Sequence, residues 1–346
     1  MTPERRAEAQ QAGSAFHLAL IYIGVASIDE AFTLWAQLPE SQAPQAVEAW
    51  IRSMQTMTKS HRQEARDLAM AYYRLARALH TGRTVSDPWN PDEDNRVTLG
   101  TLRTNFAGLV EDAQQYQPRS TKTRDMVGRE SEEPDSDRSG DDEVVEVDRA
   151  QGSILNVQQR DDADADDIQR SILLVNLNDY RAKRERAQSE AEVTKAAADA
   201  ATLAAASAQK NTLDGGRATL QSVERRDREA IGFVRVSRTG TPCGFCAMLI
   251  SRGIFLKYYT EGAATFRRSD GEKYHLNCQC YGEPVFSQEH YDSDPRFDLN
   301  RKYSDLWPVV TKGYRGRDAM NAWRRWIERG QFRDEPTSDE SSAQVA

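Results

Sequence analysis

Apolar side chains are in short supply in this chain. Only 38% of its 346 residues are hydrophobic, against roughly 45–50% in a compact globular protein. That excludes a single core running from end to end, and the length points to about two domains at roughly 150 residues each. Long apolar runs are missing as well: none reaches the roughly 18 residues that a membrane-spanning helix needs. The nearest candidate, residues 15–26 (AFHLALIYIGVA), follows Arg5 and Arg6 and has the length of a signal-peptide core. Glu4 and Glu8 before it, His17 within it, and helical spacing that continues through Ile28 and Phe32 identify it instead as an ordinary buried helix. Cysteine is rarer still, with four residues, all between Cys243 and Cys280. So close a grouping excludes a disulfide framework spread over the chain and has the spacing of a metal site. The five histidines, His17, His61, His80, His275 and His290, lie in no recognisable nucleophile motif such as G-x-S-x-G.

Charge is plentiful but uneven. Lys and Arg number 46 and Asp and Glu 54, for a net charge of -8. Ten acids and two arginines fall between Arg129 and Asp148, and five more acids between Asp161 and Asp167, so the other residues together carry about +5. The overall balance argues against a uniformly basic nucleic-acid binder.

From Pro3 to Leu79 apolar positions recur at helical spacing, with Val47, Trp50, Ile51, Met54 and Met57 followed by Leu68, Tyr72, Leu75 and Leu79. Ser41 is the expected N-cap, Pro44 sits in the first turn, and Thr81-Gly82 is the stop signal. His61, on or near the apolar stripe, reads as a partly buried helical histidine without chemistry. A loop over 86–95 and a short amphipathic helix from Leu99 to Ala113 complete an N-terminal helical region, 1–113. Residues 114–167 read as an acidic disordered linker, because few large apolar groups offset an ordering cost of roughly 1–2 kcal/mol per residue; its only apolar clusters are Val144, Val145 and Val147, then Ile154, Leu155 and Val157.

Residues 168–231 read as a helical hairpin. Its first helix runs through the Ala-rich stretch 196–208, long, exposed over much of its surface and able to pair with a partner helix; Asp214-Gly215-Gly216 is the expected break, and Arg217 to Ile231 the second helix. At 232–290 the period changes to two, with Phe233, Arg235 and Ser237 alternating against Val234, Val236 and Arg238, and a small mixed α/β module is predicted. Residues 291–333 are a basic aromatic region, with ten Lys/Arg against four acids from Arg296 to Arg333. It reads either as a contact for DNA or an acidic partner, or as a packed helix with Trp323 and Trp326 inside and the arginines outside. Residues 334–346 read as a disordered tail. The fold class is α+β, mainly helical.

The most specific pattern is Cys243-Gly-Phe-Cys246, then His275-Leu-Asn-Cys278-Gln-Cys280. Two thiols separated by two residues converge on one tetrahedral ion at about 2.3 Å, and Gly244 suits the tight turn this needs. The second cluster adds an imidazole and two thiols, so Cys243, Cys246, His275, Cys278 and Cys280 offer five candidates for the four positions of a structural zinc. Three other readings stand beside this one: disulfides or reduced, packed thiols; a catalytic metal, against which the missing carboxylate and open position speak; and a Cys/His nucleophile pair, for which no activating group is identifiable.

These residues carry a resemblance. Asp227-Arg-Glu-Ala-Ile-Gly-Phe-Val-Arg-Val-Ser237, Cys243-Gly-Phe-Cys-Ala-Met-Leu-Ile-Ser-Arg-Gly253, Tyr274-His-Leu-Asn-Cys-Gln-Cys280 and Pro284-Val-Phe286 together resemble the MuF-like minor head proteins of tailed bacteriophages, actinobacteriophage members especially. The similar stretch covers about a third of the chain. It implies a minor capsid protein in the capsid interior near the portal, made in the host cytoplasm, that assists head assembly, DNA packaging or ejection. The implied partners are the portal protein and a scaffold or major capsid protein, with packaged DNA as a further contact and no membrane. Many relatives carry acids between the His and the Cys, where Asn277 and Gln279 stand in this chain; the metal ligands are kept, and a catalytic carboxylate in that loop is not. Some similar proteins are labelled capsid maturation proteases, which is the alternative function. ADP-ribosyl transfer, carried by some MuF proteins in an added domain, lacks a matching Glu motif. A zinc-stabilised nucleic-acid binder acting through 296–333 is the third reading.

Overall fold

The computed structural model describes residues 1–38, 43–90, 93–116, 141–148, 154–237, 242–256, 276 and 278–330, with the side chains of 154–164 and 255–256 outside the description. Within those limits the chain is mainly helical with two small sheets, an α+β fold. It divides into two compact units, residues 1–229 with 274–278, and residues 230–273 with 279–346.

The first unit is built on long helices: α1 (Pro3–Ala36), α2 (Pro44–Thr81), α3 (Leu99–Gln114), α4 (Ile154–Arg186) and α5 (Glu190–Arg226). Their ends follow local chemistry. Thr2 caps α1 and Thr98 caps α3, each accepting a backbone N–H of the first turn. Gly82 ends α2 in the left-handed conformation, at φ 75°. The start of α2 falls at Ala43 with Pro44 as first helical residue; Ser41, the expected cap, lies outside the described residues. An 18-residue window of α1 reaches a mean hydropathy of 1.5, so this helix is long and apolar enough to cross a membrane by length and composition, although interrupting small and polar residues hide the run from simple inspection. In the fold, Phe16, Ala19, Leu20 and Ile23 are buried, and Phe16 stacks on Tyr72 at 4.5 Å between ring centroids.

Two departures from the sequence reading concern α5. The Ala-rich stretch is not largely exposed: Ala196, Ala200, Ala204 and Ala208, spaced four apart, are buried in a helix that packs on α1, α2 and α4. Small side chains let backbones approach closely, so alanine contributes by proximity rather than by its own buried area. Nor does Asp214-Gly215-Gly216 break the helix, which runs straight through. A Cβ at Gly215 would lie 2.7 Å from the Arg62 carbonyl oxygen, and one at Gly216 2.9 Å from that of Ala65. Each glycine costs about 1 kcal/mol of helix propensity and in return admits the α2 backbone. The actual break precedes Ser189, which caps α5 by accepting the Glu192 N–H, while the Glu192 carboxylate accepts the Gln188 N–H at 2.7 Å.

A three-stranded sheet closes this unit, with β3 (Val144–Asp148) central, parallel to β1 (Arg83–Val85) and antiparallel to β2 (Arg96–Thr98). The acidic linker expected over 114–167 therefore contains a paired strand and the start of α4; residues 117–140 lie outside the described residues. Val145 is buried, and the acids of β3 meet cations. Arg77 joins Asp148 at 2.7 Å and the buried Asp227 at 2.6 Å, and Asp227 also accepts the Tyr73 hydroxyl at 2.8 Å. Arg83 reaches Asp148, and Arg5 reaches Glu143. Paired in this way, the acids no longer oppose order.

The second unit pairs β4 (Gly232–Val236) with β5 (Phe255–Leu256) on one side and β6 (Tyr281–Val285) on the other, all antiparallel. Pro284 sits on the edge strand, where a missing N–H costs nothing. Around this sheet lie α6 (Gly244–Ile250), α7 (Gln288–Ser293), α8 (Asp298–Val310) and α9 (Gly316–Glu328). The core is Ala247, Met248, Leu249, Ile250, Tyr303, Trp323 and Ile327. Trp323 is fully buried, with Trp326 stacked on it at 5.1 Å and Trp307 at 5.2 Å.

Candidate metal centre

Of the five predicted ligands, the structure brings three together. The sulfurs of Cys246, Cys278 and Cys280 all lie within 4.8 Å of one another, and all three residues are buried. Cys246 comes from the first turn of α6. Cys278 and Cys280 come from an extended segment that runs directly into β6, where residues two apart point the same way. No disulfide joins any of the four cysteines.

The arrangement meets the chemistry of zinc on geometric grounds. Tetrahedral coordination at a Zn–S distance of ~2.3 Å sets sulfurs ~3.8 Å apart, so sulfurs within 4.8 Å need a contraction of about 1 Å at most to share an ion. Three thiolates around a divalent cation leave one excess negative charge. Arg235 of β4, itself buried, directs its guanidinium at the Cys246 sulfur at 3.7 Å and would supply the compensating charge. Arg235 is in turn positioned by Asn300 of α8, whose amide donates to the Arg235 carbonyl at 2.9 Å and to that of Ile250 at 3.3 Å. Cation and thiols are thus held from three elements.

Cys243 takes a different place. It is exposed, and its sulfur caps α6 by accepting the Cys246 N–H at 3.4 Å, so it is not in the three-thiol group. His275 lies outside the described residues. Gly244 also has another reason than the turn inferred for it. Its φ is not positive, and a Cβ there would meet Arg324 of α9, 2.7 Å from Cγ and 3.1 Å from Cα. The glycine admits α9 against the start of α6.

Sequence reasoning missed Arg235, which it placed on a face alternating with Val234 and Val236. Val234, Arg235 and Val236 are all buried, because β4 is the central strand and both of its faces are covered. An arginine between two valines in a short strand was the available signal. Two histidines apart from the cysteines also acquire surroundings. His61 has Glu64 at 3.2 Å from Nδ1 and Glu30 at 3.1 Å from Nε2. His290 accepts the Phe286 N–H at Nδ1, and its Nε2 faces Asp294 at 3.4 Å. Burial would raise the Asp294 carboxyl, but the neighbouring His290 ring and the Arg296 guanidinium hold it well below the ordinary carboxylate range.

A family model described as VG15 protein matches residues 162–306. The matched segment spans most of α4 through much of α8 and includes all five candidate ligands. The match points to a phage protein and to a viral structural or morphogenesis role. Curated proteins and solved structures yield no match.

Proposed function

We propose that this chain is a minor component of a tailed-phage head, located in the capsid interior near the portal, where it assists head assembly, DNA packaging or ejection without being an enzyme. The observation that carries this reading is the VG15 match over 162–306, which encloses the stretch 227–286 whose Cys/His pattern resembles MuF-like minor head proteins. In this reading the portal and a scaffold or major capsid protein are the partners, and the chain is made in the host cytoplasm before incorporation.

A structural zinc belongs to the same proposal. Cys246, Cys278 and Cys280 would hold it, with Cys243 or His275 as fourth ligand. Its contribution is to fix the entry to β6 against α6, in a unit whose described strands are three and short. Arg235 orients and neutralises the thiolate of Cys246, and Asn300 keeps Arg235 in place.

Mass spectrometry of purified procapsids and virions tests the assignment. The chain is expected in both, at a low copy number relative to the major capsid protein. Its absence from both overturns the reading, and altered scaffold or capsid termini on co-expression identify a maturation protease instead.

A further inference from the structure

Several arginines of this protein are committed to carboxylates. Arg77 pairs with Asp227 and Arg103 with Glu8, and in the second unit Arg296 pairs with Glu283 and Asp294 and Arg301 with Asp298. The basic character read over 296–333 is therefore already used at its start. The turn after α8 and the outer face of α9 differ. Lys312, Arg315, Arg317, Arg325 and Arg329 are exposed and make no ion pair among the described residues. Arg324 is shared with Glu328 at 3.6 Å. From Lys312 to Arg329 there are six cations against two acids, Asp318 and Glu328. The inward side of α9 is anchored by the buried Ala319, Trp323 and Ile327, so the cations stand on a fixed support.

We propose that this surface binds the phosphate backbone of duplex nucleic acid. From Arg317 to Arg329 the helix rises about 18 Å at 1.5 Å per residue, and duplex DNA presents one charge per ~1.7 Å of axis. Cations spread over that length match a repeating polyanion better than a single carboxylate, and guanidinium forks match phosphate oxygens in pairs. The exposed Tyr314 adds a hydroxyl donor beside them. With a net charge of -8 over the whole chain, diffuse attraction is unfavourable, so binding depends on this local surface and is independent of sequence. The inference stands apart from the head assignment, which the virion measurement tests separately.

The test is a titration of the full-length chain into a fluorescently labelled 20-base-pair duplex between 50 and 200 mM salt. Four phosphate contacts give a log–log salt slope of about -4 and a loss of about 10²-fold in affinity over that range. Changing Arg315→Ala and Arg317→Ala together is expected to flatten the slope by about two and leave the circular dichroism unchanged. Lys183→Ala with Lys195→Ala, which removes exposed cations already paired with Asp179 and Asp199, leaves binding as it was. Absence of binding at 50 mM salt overturns the proposal, as does an unchanged slope in the Arg315/Arg317 variant. Binding of poly-glutamate in place of the duplex also overturns it, by assigning the surface to an acidic protein.

Discussion

The two units of this protein solve the same shortage of apolar residues in opposite ways. The first packs long helices through their smallest residues: alanines every fourth position of α5, and Gly215 and Gly216 against the carbonyls of Arg62 and Ala65. The second is short in every described element and concentrates its burial in large rings, Trp323 and Tyr303 with Trp307 and Trp326 packed against them. Helices of 30 or more residues supply enough repeated contacts for close approach alone to suffice. The described three-stranded sheet and four short helices do not, and a few large groups carry much of the burial.

The comparison breaks most visibly at the thiols. If the second unit depends on a metal, chelation or Cys280→Ser abolishes its thermal transition and leaves that of the first unit in place, since structural zinc contributes on the order of 10 kcal/mol of folding free energy in small domains. Elemental analysis gives about one zinc per chain in the parent and less than half in Cys280→Ser; a parent chain with less than half an equivalent removes the staple from the account. Trp323→Ala comes next, with an expected loss of about 3–5 kcal/mol in denaturant unfolding of the second unit. Gly216→Val is its counterpart in the first unit. Overpacking against Ala65 is expected to cost about 1–3 kcal/mol, while Ala198→Val on the exposed face of α5 changes stability by less than about 0.5 kcal/mol. Equal effects at the two positions would refute close approach as the packing principle.

The smallest effect sharpens the electrostatic side. Burial pushes the pKa of His61 down, but hydrogen bonds and charge from Glu64 and Glu30 outweigh it and hold it above the ordinary 6.5, with Tyr116 packed edge-on against the ring. A raised folded pKa gives a contribution fully present below the unfolded value of 6.5 and lost as pH rises through the folded value. The melting temperature of the parent should therefore exceed that of His61→Gln by more at pH 6 than at pH 8. A difference independent of pH would show that His61 acts by packing alone. The same position marks where the sequence reading stopped: partial burial was readable from the apolar stripe, whereas Glu30, thirty-one residues earlier, meets it only in the fold.

Much of the local structure was readable because it rests on neighbours in the chain. Gly82 ends α2 at the predicted position, β4 occupies the predicted period-two stretch, and α3 spans the amphipathic segment almost to the residue. Trp323 lies inside and the arginines of α9 outside, as the packed-helix reading had it, and that burial leaves the outer face open to the other reading, a contact with a polyanion. Two glycine signals misled for a common reason. At Gly215 and Gly244 a missing side chain was taken as a break or a turn, while its use was to admit another backbone. The acidic stretch misled in the opposite sense at 143–148, because Arg77, Arg83 and Arg5 are far from those residues in sequence and pair Glu143 and Asp148 only in the folded chain.

The sequence by itself determined some helix limits, such as Gly82 and the span of α3, the strand period, the spacing of the thiols and the clustering of charge, since each is a property of residues a few positions apart. Tertiary structure decided which of those thiols meet, which glycines touch a backbone, and which arginines remain unpaired. Those outcomes depend on groups tens to hundreds of residues apart, whose distance is set by packing and not by spacing.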